Sequence, residues 1–89
     1  MLDVRDLHCF VTVYEVSGFG RAARRLNTVQ SNVSARIRRL ELLVGAPLFE
    51  RLHRSIRPTP KGELLYRYAK PVLANLAEIE EALKDQDAA

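Results

Sequence analysis

Residues 21–51 read RAARRLNTVQSNVSARIRRLELLVGAPLFER, and their reading decides the fold. Ala22, Ala23 and Leu26 let a short helix of about residues 21–26 sit close against its neighbours, and Asn27-Thr28 supplies a turn. A longer helix follows, with Val33, Ile37, Leu40 and Val44 along one line that faces a core. Its opposite side carries Ser31, Ala35 and Arg38, flanked by Ser34 and Arg39: small or polar near the N-terminal end, cationic further along. A helix that is merely solvated mixes Glu with Lys instead. Glu41 and Gly45 mark the stop, with Gly45 as a left-handed cap.

Working outward, Leu7, Phe10, Val11 and Tyr14 recur at i, i+3, i+4 and i+7 and predict an upstream helix from about Asp3, its cap, to Val16. Ser17-Gly18-Phe19-Gly20 breaks that pattern. Downstream, Leu48-Phe49-Glu50 and Ile56-Arg57-Pro58 read as a short extended pair joined by the basic tip Arg51-Leu52-His53-Arg54-Ser55, and Pro58 confines its strand to an edge. Thr59-Pro60 starts a last helix, cap then proline, that extends to about Asp85 and is ~39 Å long at 1.5 Å per residue. In it Leu65, Ala69, Val72, Leu76, Ile79 and Leu83 are spaced 4, 3, 4, 3, 4, the seam of a coiled coil. These residues can cover the chain's own core, but the seam runs too long for that alone and asks for a partner helix, most simply its own copy. Pro71 predicts a bend. The order of parts is that of a mainly α winged helix-turn-helix with a two-stranded wing, residues 1–59, followed by a long linker and dimerisation helix, residues 60–89.

Composition narrows the function. Eighty-nine residues with 47% apolar content make one small domain, which disfavours most single-chain enzyme folds. No apolar run approaches the ~20 residues that span a bilayer, and MLDVRDLHCF has acids where a signal peptide has a basic start, so a cytoplasmic protein with no membrane partner is expected. Cys9 has no disulfide partner, and with His8 and His53 the only histidines no zinc-ligand spacing exists. Cys9 reads as a small hydrophobe at the margin of the apolar stripe rather than a redox sensor.

The net charge of +3 conceals its distribution. Residues 1–70 hold thirteen basic and six acidic side chains, a balance of +7, whereas 71–89 hold Lys84 and five acids, a balance of −4. Between residues 21 and 40 stand Arg21, Arg24, Arg25, Arg36, Arg38 and Arg39 with no acid at all. Such a face suits phosphate. In a helix-turn-helix the second helix lies in the major groove, which assigns Gln30 to Arg38 to the bases. Ser31 and Ser34 are small enough for close approach to bases or phosphates, Ser31 suiting a helix-capping role equally well, Ala35 suits a thymine methyl, and Asn32 lies on the flank, where solvation alone is the alternative. Arg21, Arg25, Arg38, Arg39 and Arg51 are backbone candidates with the Thr28 hydroxyl and, at the wing, His53; Arg38 can instead pair with Glu41 at i+3.

The residues resemble the LysR-type transcriptional regulators over essentially the whole chain. The matching strings are Ala22-Ala23-x-x-Leu26; Gln30-Ser31-x-Val33-Ser34-x-x-Ile37-Arg38-Arg39-Leu40-Glu41; Leu43-x-Gly45-x-Pro47-Leu48-Phe49-Glu50-Arg51; and Arg54 with Thr59-x-x-Gly62. The resemblance implies that Gln30 reads a base, pairing bidentately with adenine, and that Arg54 enters a narrow, A·T-rich minor groove. It implies an interrupted inverted repeat of double-stranded DNA beginning with T and ending with A, bound by a homodimer. It also implies a larger C-terminal domain that takes a small-molecule effector, so that this chain is a DNA-binding fragment with no cofactor of its own and the whole regulator a tetramer. Three positions depart from the family pattern. Gly20 stands where a hydroxyl is frequent, and Val29 stands where Ser or Thr often precedes the Gln. Ala35 replaces a frequent Arg, leaving Arg36 one position nearer the core edge and expected on a phosphate. The competing class is a dimeric protein-interaction module with a basic face; an enzyme finds no support in any nucleophile, carboxylate or phosphate-loop pattern.

Overall fold

Asp3 opens the first helix. Its backbone is extended and its carboxylate accepts the Arg5 backbone N–H at 2.7 Å, satisfying one of the donors that a helix start leaves free. Helix α1 runs Val4–Val16 and ends at Ser17, whose left-handed φ of 59° turns the chain. In this computed structural model, which describes residues 1–88 and side chains through Asp85, there follow α2 (Phe19–Arg25), α3 (Gln30–Val44), strands β1 (Phe49–Arg51) and β2 (Ile56–Pro58), and α4 (Pro60–Ala88).

Helix α4 extends to Ala88, beyond the expected Asp85, and two element starts differ from the sequence prediction. Helix α2 begins at Phe19 rather than Arg21, because Phe19 drops into the core and meets Phe49 edge-on at 6.0 Å. Strand β1 begins at Phe49 rather than Leu48. Leu48 is fully buried, its N–H donating to the Glu41 carboxylate at 2.8 Å and its carbonyl accepting from Thr59 N–H at 3.0 Å. Glu41 therefore stops α3 by receiving the incoming chain, while Gly45 caps it at φ 75°. The wing is a two-stranded antiparallel sheet, with Phe49 opposite Pro58 and Arg51 opposite Ile56.

The predicted stripes meet in one core. Phe10 and Val13 of α1, Ala22 of α2, Leu40 of α3 and Leu48 have no exposed surface, and Val33 and Ile37 are nearly as buried. Burying a Leu, Val, Ile or Phe is worth about 1.5–3 kcal/mol each, so this cluster is what holds the helix-turn-helix pair against α1.

Helix α4 starts where Thr59 Oγ1 accepts the Gly62 N–H at 3.1 Å and donates to Pro47 O at 2.7 Å. It then leans on α1. Tyr14 and Tyr66 stack with centroids 3.8 Å apart, Tyr66 O–H donates to Glu15 at 2.6 Å, Tyr14 O–H donates to Glu63 at 3.1 Å, and Lys70 pairs with Glu15. Leu65 and Ala69, expected on a dimer seam, instead close the chain's own core: Ala69 is buried and Leu65 half-buried against the cluster. That correction follows from the lean, which turns the first three turns of α4 onto α1. Beyond them Leu73 still touches the core, while Val72, Leu76, Ile79 and Leu83 are exposed. Helix α4 continues through Pro71. It gives the molecule its long dimension of 53 Å against 25 and 19 Å.

Candidate nucleic-acid interface

The turn between α2 and α3 fixes the candidate surface. Leu26 and Thr28 N–H groups close on Ala22 and Ala23 carbonyls at 2.9 Å each, and Asn27 takes a left-handed φ of 58°, a conformation Asn tolerates better than most residues. The chain reverses there. Val29, extended and 59% exposed, is the N-cap of α3 and supplies no side-chain bond. The neighbouring Thr28 hydroxyl accepts instead from Asn32 Nδ2 at 2.8 Å, which also ties down Asn32.

Helix α3 presents two different flanks. Gln30, Ser31, Ser34, Ala35 and Arg38 line one shallow open depression with no acid in it. The Gln30 amide rests over Gly20, where an added Cβ would stand 3.5 Å from its Oε1, so the departure at Gly20 leaves ordinary room beneath the amide. Arg38 makes no ion pair among the described residues; Glu41, its alternative partner at i+3, accepts the Leu48 N–H through Oε2 instead. On the other flank, Arg36 Nη1 donates to Asp6 Oδ1 at 2.8 Å and Arg39 Nε lies 3.1 Å from Asp6 Oδ2 in an ion pair without hydrogen-bond geometry.

The remaining cations divide in the same way. Arg21 donates from Nε to Val16 O and from Nη2 to Ser17 O, both at 2.9 Å, and so closes the C-terminus of α1. Arg24 and Arg25 are exposed in the last turn of α2. In the wing, Arg51 lies over the Phe19 ring at 4.6 Å, and Arg57 pairs across the strands with Glu50 at 3.1 Å. The tip closes with Leu52 N–H on Ser55 O at 2.9 Å, leaving His53 and Arg54 exposed.

Asp6 is the residue that sequence reasoning missed. The signal was present, since Asp6, Phe10 and Val13 follow the 4, 3 spacing of the buried face of α1. Cys9 on that same face is 2% exposed, and burial pushes its thiol up to about 11. Among the described residues no cluster of His, Cys, Asp or Glu is placed to hold a metal, and no helix is long and apolar enough to cross a membrane.

Comparison with known proteins adds independent findings. Residues 4–63 match the bacterial regulatory helix-turn-helix protein family, lysR type. The HTH-type transcriptional regulator CzcR of Bacillus subtilis is 35% identical over 86 residues, 97% of this chain and 30% of that protein. The HTH-type transcriptional regulator AbaB of Streptomyces antibioticus is 42% identical over 86 residues, 97% of this chain and 29% of that protein. Among solved structures, the BenM_DBD/catB site 1 DNA complex superposes with a TM-score of 0.91 at 33% identity, covering 99% of each chain. The chain thus spans about 30% of the length of the curated relatives it matches.

Proposed function

The chain belongs to the lysR family of bacterial regulatory helix-turn-helix proteins, and from that premise we propose that it binds double-stranded DNA sequence-specifically, as a dimer, to regulate transcription. The observation that carries the reading is the acid-free depression on α3, where exposed Gln30, Ser31, Ala35 and Arg38 stand together with half-buried Ser34 beside the turn. A major groove about 12 Å wide admits a helix, and the N-terminal residues of a recognition helix meet the base edges. Gln30 pairs with an adenine, Ala35 meets a thymine methyl, and Ser31, Ser34 and the flanking Asn32 contact bases at close approach. Arg38 takes a phosphate.

The wing lies beside α2 and reaches the next minor groove with Arg54, while His53 and Arg51 meet backbone. Thr28 and the free N–H groups of the Arg21 guanidinium border the same strand. Because Val29 lends no side chain to the first turn of α3, the N–H groups of Gln30 and Ser31 add to the positive end of that helix. Val72, Leu76, Ile79 and Leu83 form the exposed seam for a second copy, which sets two half-sites as an interrupted inverted repeat. An effector-responsive region beyond α4, tetramer assembly and a cytoplasmic location complete the proposal. The relatives named above are regulators rather than enzymes, and a binding role without catalysis is proposed accordingly.

Selection of bound duplexes from random-sequence DNA tests the function. The expected product is a pair of inverted half-sites whose binding falls steeply with salt. Enrichment of nothing, together with flat binding across salt, overturns it.

A further inference from the structure

Asp6 is the one fully buried charged side chain among the described residues, 1% exposed on the face of α1 that packs against α3. Its two oxygens are held by Arg36 at 2.8 Å and Arg39 at 3.1 Å, whose side chains are 34% and 59% exposed. At about 100° per residue these two arginines sit roughly 110–170° around α3 from the centre of the Gln30–Arg38 depression. Two of the cations on the recognition helix are therefore turned to a carboxylate of their own chain.

The competition for them is unequal. A buried carboxylate that loses its cation is left uncompensated in a poorly polarisable interior, whereas a phosphate outside offers a screened, water-exposed alternative. Asp6 Oδ2, which accepts no hydrogen bond among the described residues, faces the nearby Arg39 charge. Both guanidinium groups thus make their nearest charge contact with Asp6 and not with a DNA phosphate. Sequence-independent binding rests almost entirely on phosphate neutralisation, so withholding cations weakens it more than it weakens base readout.

We infer that Asp6 is a specificity-setting positioning residue: by holding Arg36 and Arg39 it fixes the rotation of α3 and keeps both arginines from phosphate, so that the adjoining base-reading face decides where the chain binds. The inference rests on the proposed DNA binding and goes beyond it.

Salt titrations against two probes test it: a duplex enriched from random sequence by the wild-type chain, and a scrambled duplex of the same length and composition. Asp6→Asn keeps the shape and removes the charge. On the scrambled duplex its log K against log salt should steepen by about 0.9–1.8, an extra loss of about 3- to 12-fold in affinity between about 50 and 200 mM salt, and the affinity ratio between the two probes should narrow. An unchanged slope and ratio in a folded Asp6→Asn protein overturns the inference and leaves DNA binding standing. A wild-type chain that binds neither duplex overturns the DNA reading and the inference with it. If circular dichroism shows Asp6→Asn unfolded, Arg39→Gln decides, since it leaves the Arg36 bond to Asp6 in place. It should flatten the wild-type slope less than Arg38→Gln does; equal flattening overturns the inference.

Discussion

At the scale of single residues, the same side chain type does different work according to which charged group stands beside it. Arg38 and Arg39 are neighbours in sequence, yet Arg38 on the open face has no ion pair among the described residues and Arg39 faces a buried carboxylate. Arg54 at the wing tip is exposed. Arg54→Ala should weaken binding chiefly to duplexes with A·T-rich flanks, where a narrow minor groove deepens the negative potential. Fluorescence anisotropy on flank variants checks this; equal loss on G·C-rich flanks would show a backbone contact instead. Val29 invites the opposite kind of change. Its extended backbone already has N-cap geometry and its side chain is exposed, so Val29→Ser should stabilise the fold by about 0.5–2 kcal/mol. In a domain of this size that is a rise in Tm of roughly 4–8 °C per kcal/mol, readable by calorimetry.

At the scale of elements, the junction between the wing and α4 leaves no room for a side chain at Gly62. A Cβ on Gly62 would lie 2.2 Å from Leu48 O, a backbone atom that cannot step aside without moving the wing. Gly62→Ala should therefore destabilise by about 1–3 kcal/mol in urea unfolding, the usual cost of overpacking. The clasp between α1 and α4 predicts a pH dependence. The hydrogen bond from Lys70, and next the one from Tyr66, hold the Glu15 carboxyl below its ordinary 4.5. An acid with a lowered folded pKa binds fewer protons folded than unfolded, so its stabilisation is present above about 4.5 and fades as pH falls through the folded value. Glu15→Gln should flatten that acid limb in thermal melts taken from pH 6 to pH 3, and a limb of unchanged steepness would assign it to other carboxylates.

These elements also show how much the sequence disclosed. Helices α1 and α3, the wing and the Thr59 cap were legible because each depends on residues within one segment: a stripe, a turn pair, a hydroxyl before a proline. The start of α2 was missed because Phe19 joins the helix only by burying its ring against Phe49, thirty residues away. The acid-free face of α3 was legible in the sequence, because it depends on one helical stretch alone. The roles of Arg36 and Arg39 were not, since their partner lies on α1.

At the scale of the whole molecule, charge and shape coincide. The compact end carries the +7 balance and α4 carries the acids Glu78, Glu80, Glu81 and Asp85 away from it along a 53 Å axis. Leu76 is 37% exposed in the middle of the free stripe. Leu76→Asp should give a monomer by sedimentation, with full-site binding reduced towards that of a single half-site; a dimer unchanged in this variant would refute the seam. The shortened seam matters here, because with Leu65 and Ala69 in the core the seam residues left exposed for a partner are Val72, Leu76, Ile79 and Leu83.

The sequence by itself determined the order of the elements, the acid-free face of α3 and the division of charge between head and stalk, because periodicity, capping and local charge are properties of one continuous segment. Only the tertiary structure decided where α4 stops covering its own core, and which arginines remain free for a phosphate. Both outcomes depend on distances between segments thirty or more residues apart, and a linear pattern does not encode those distances until the packed core brings Asp6 under Arg36 and Tyr66 over Tyr14.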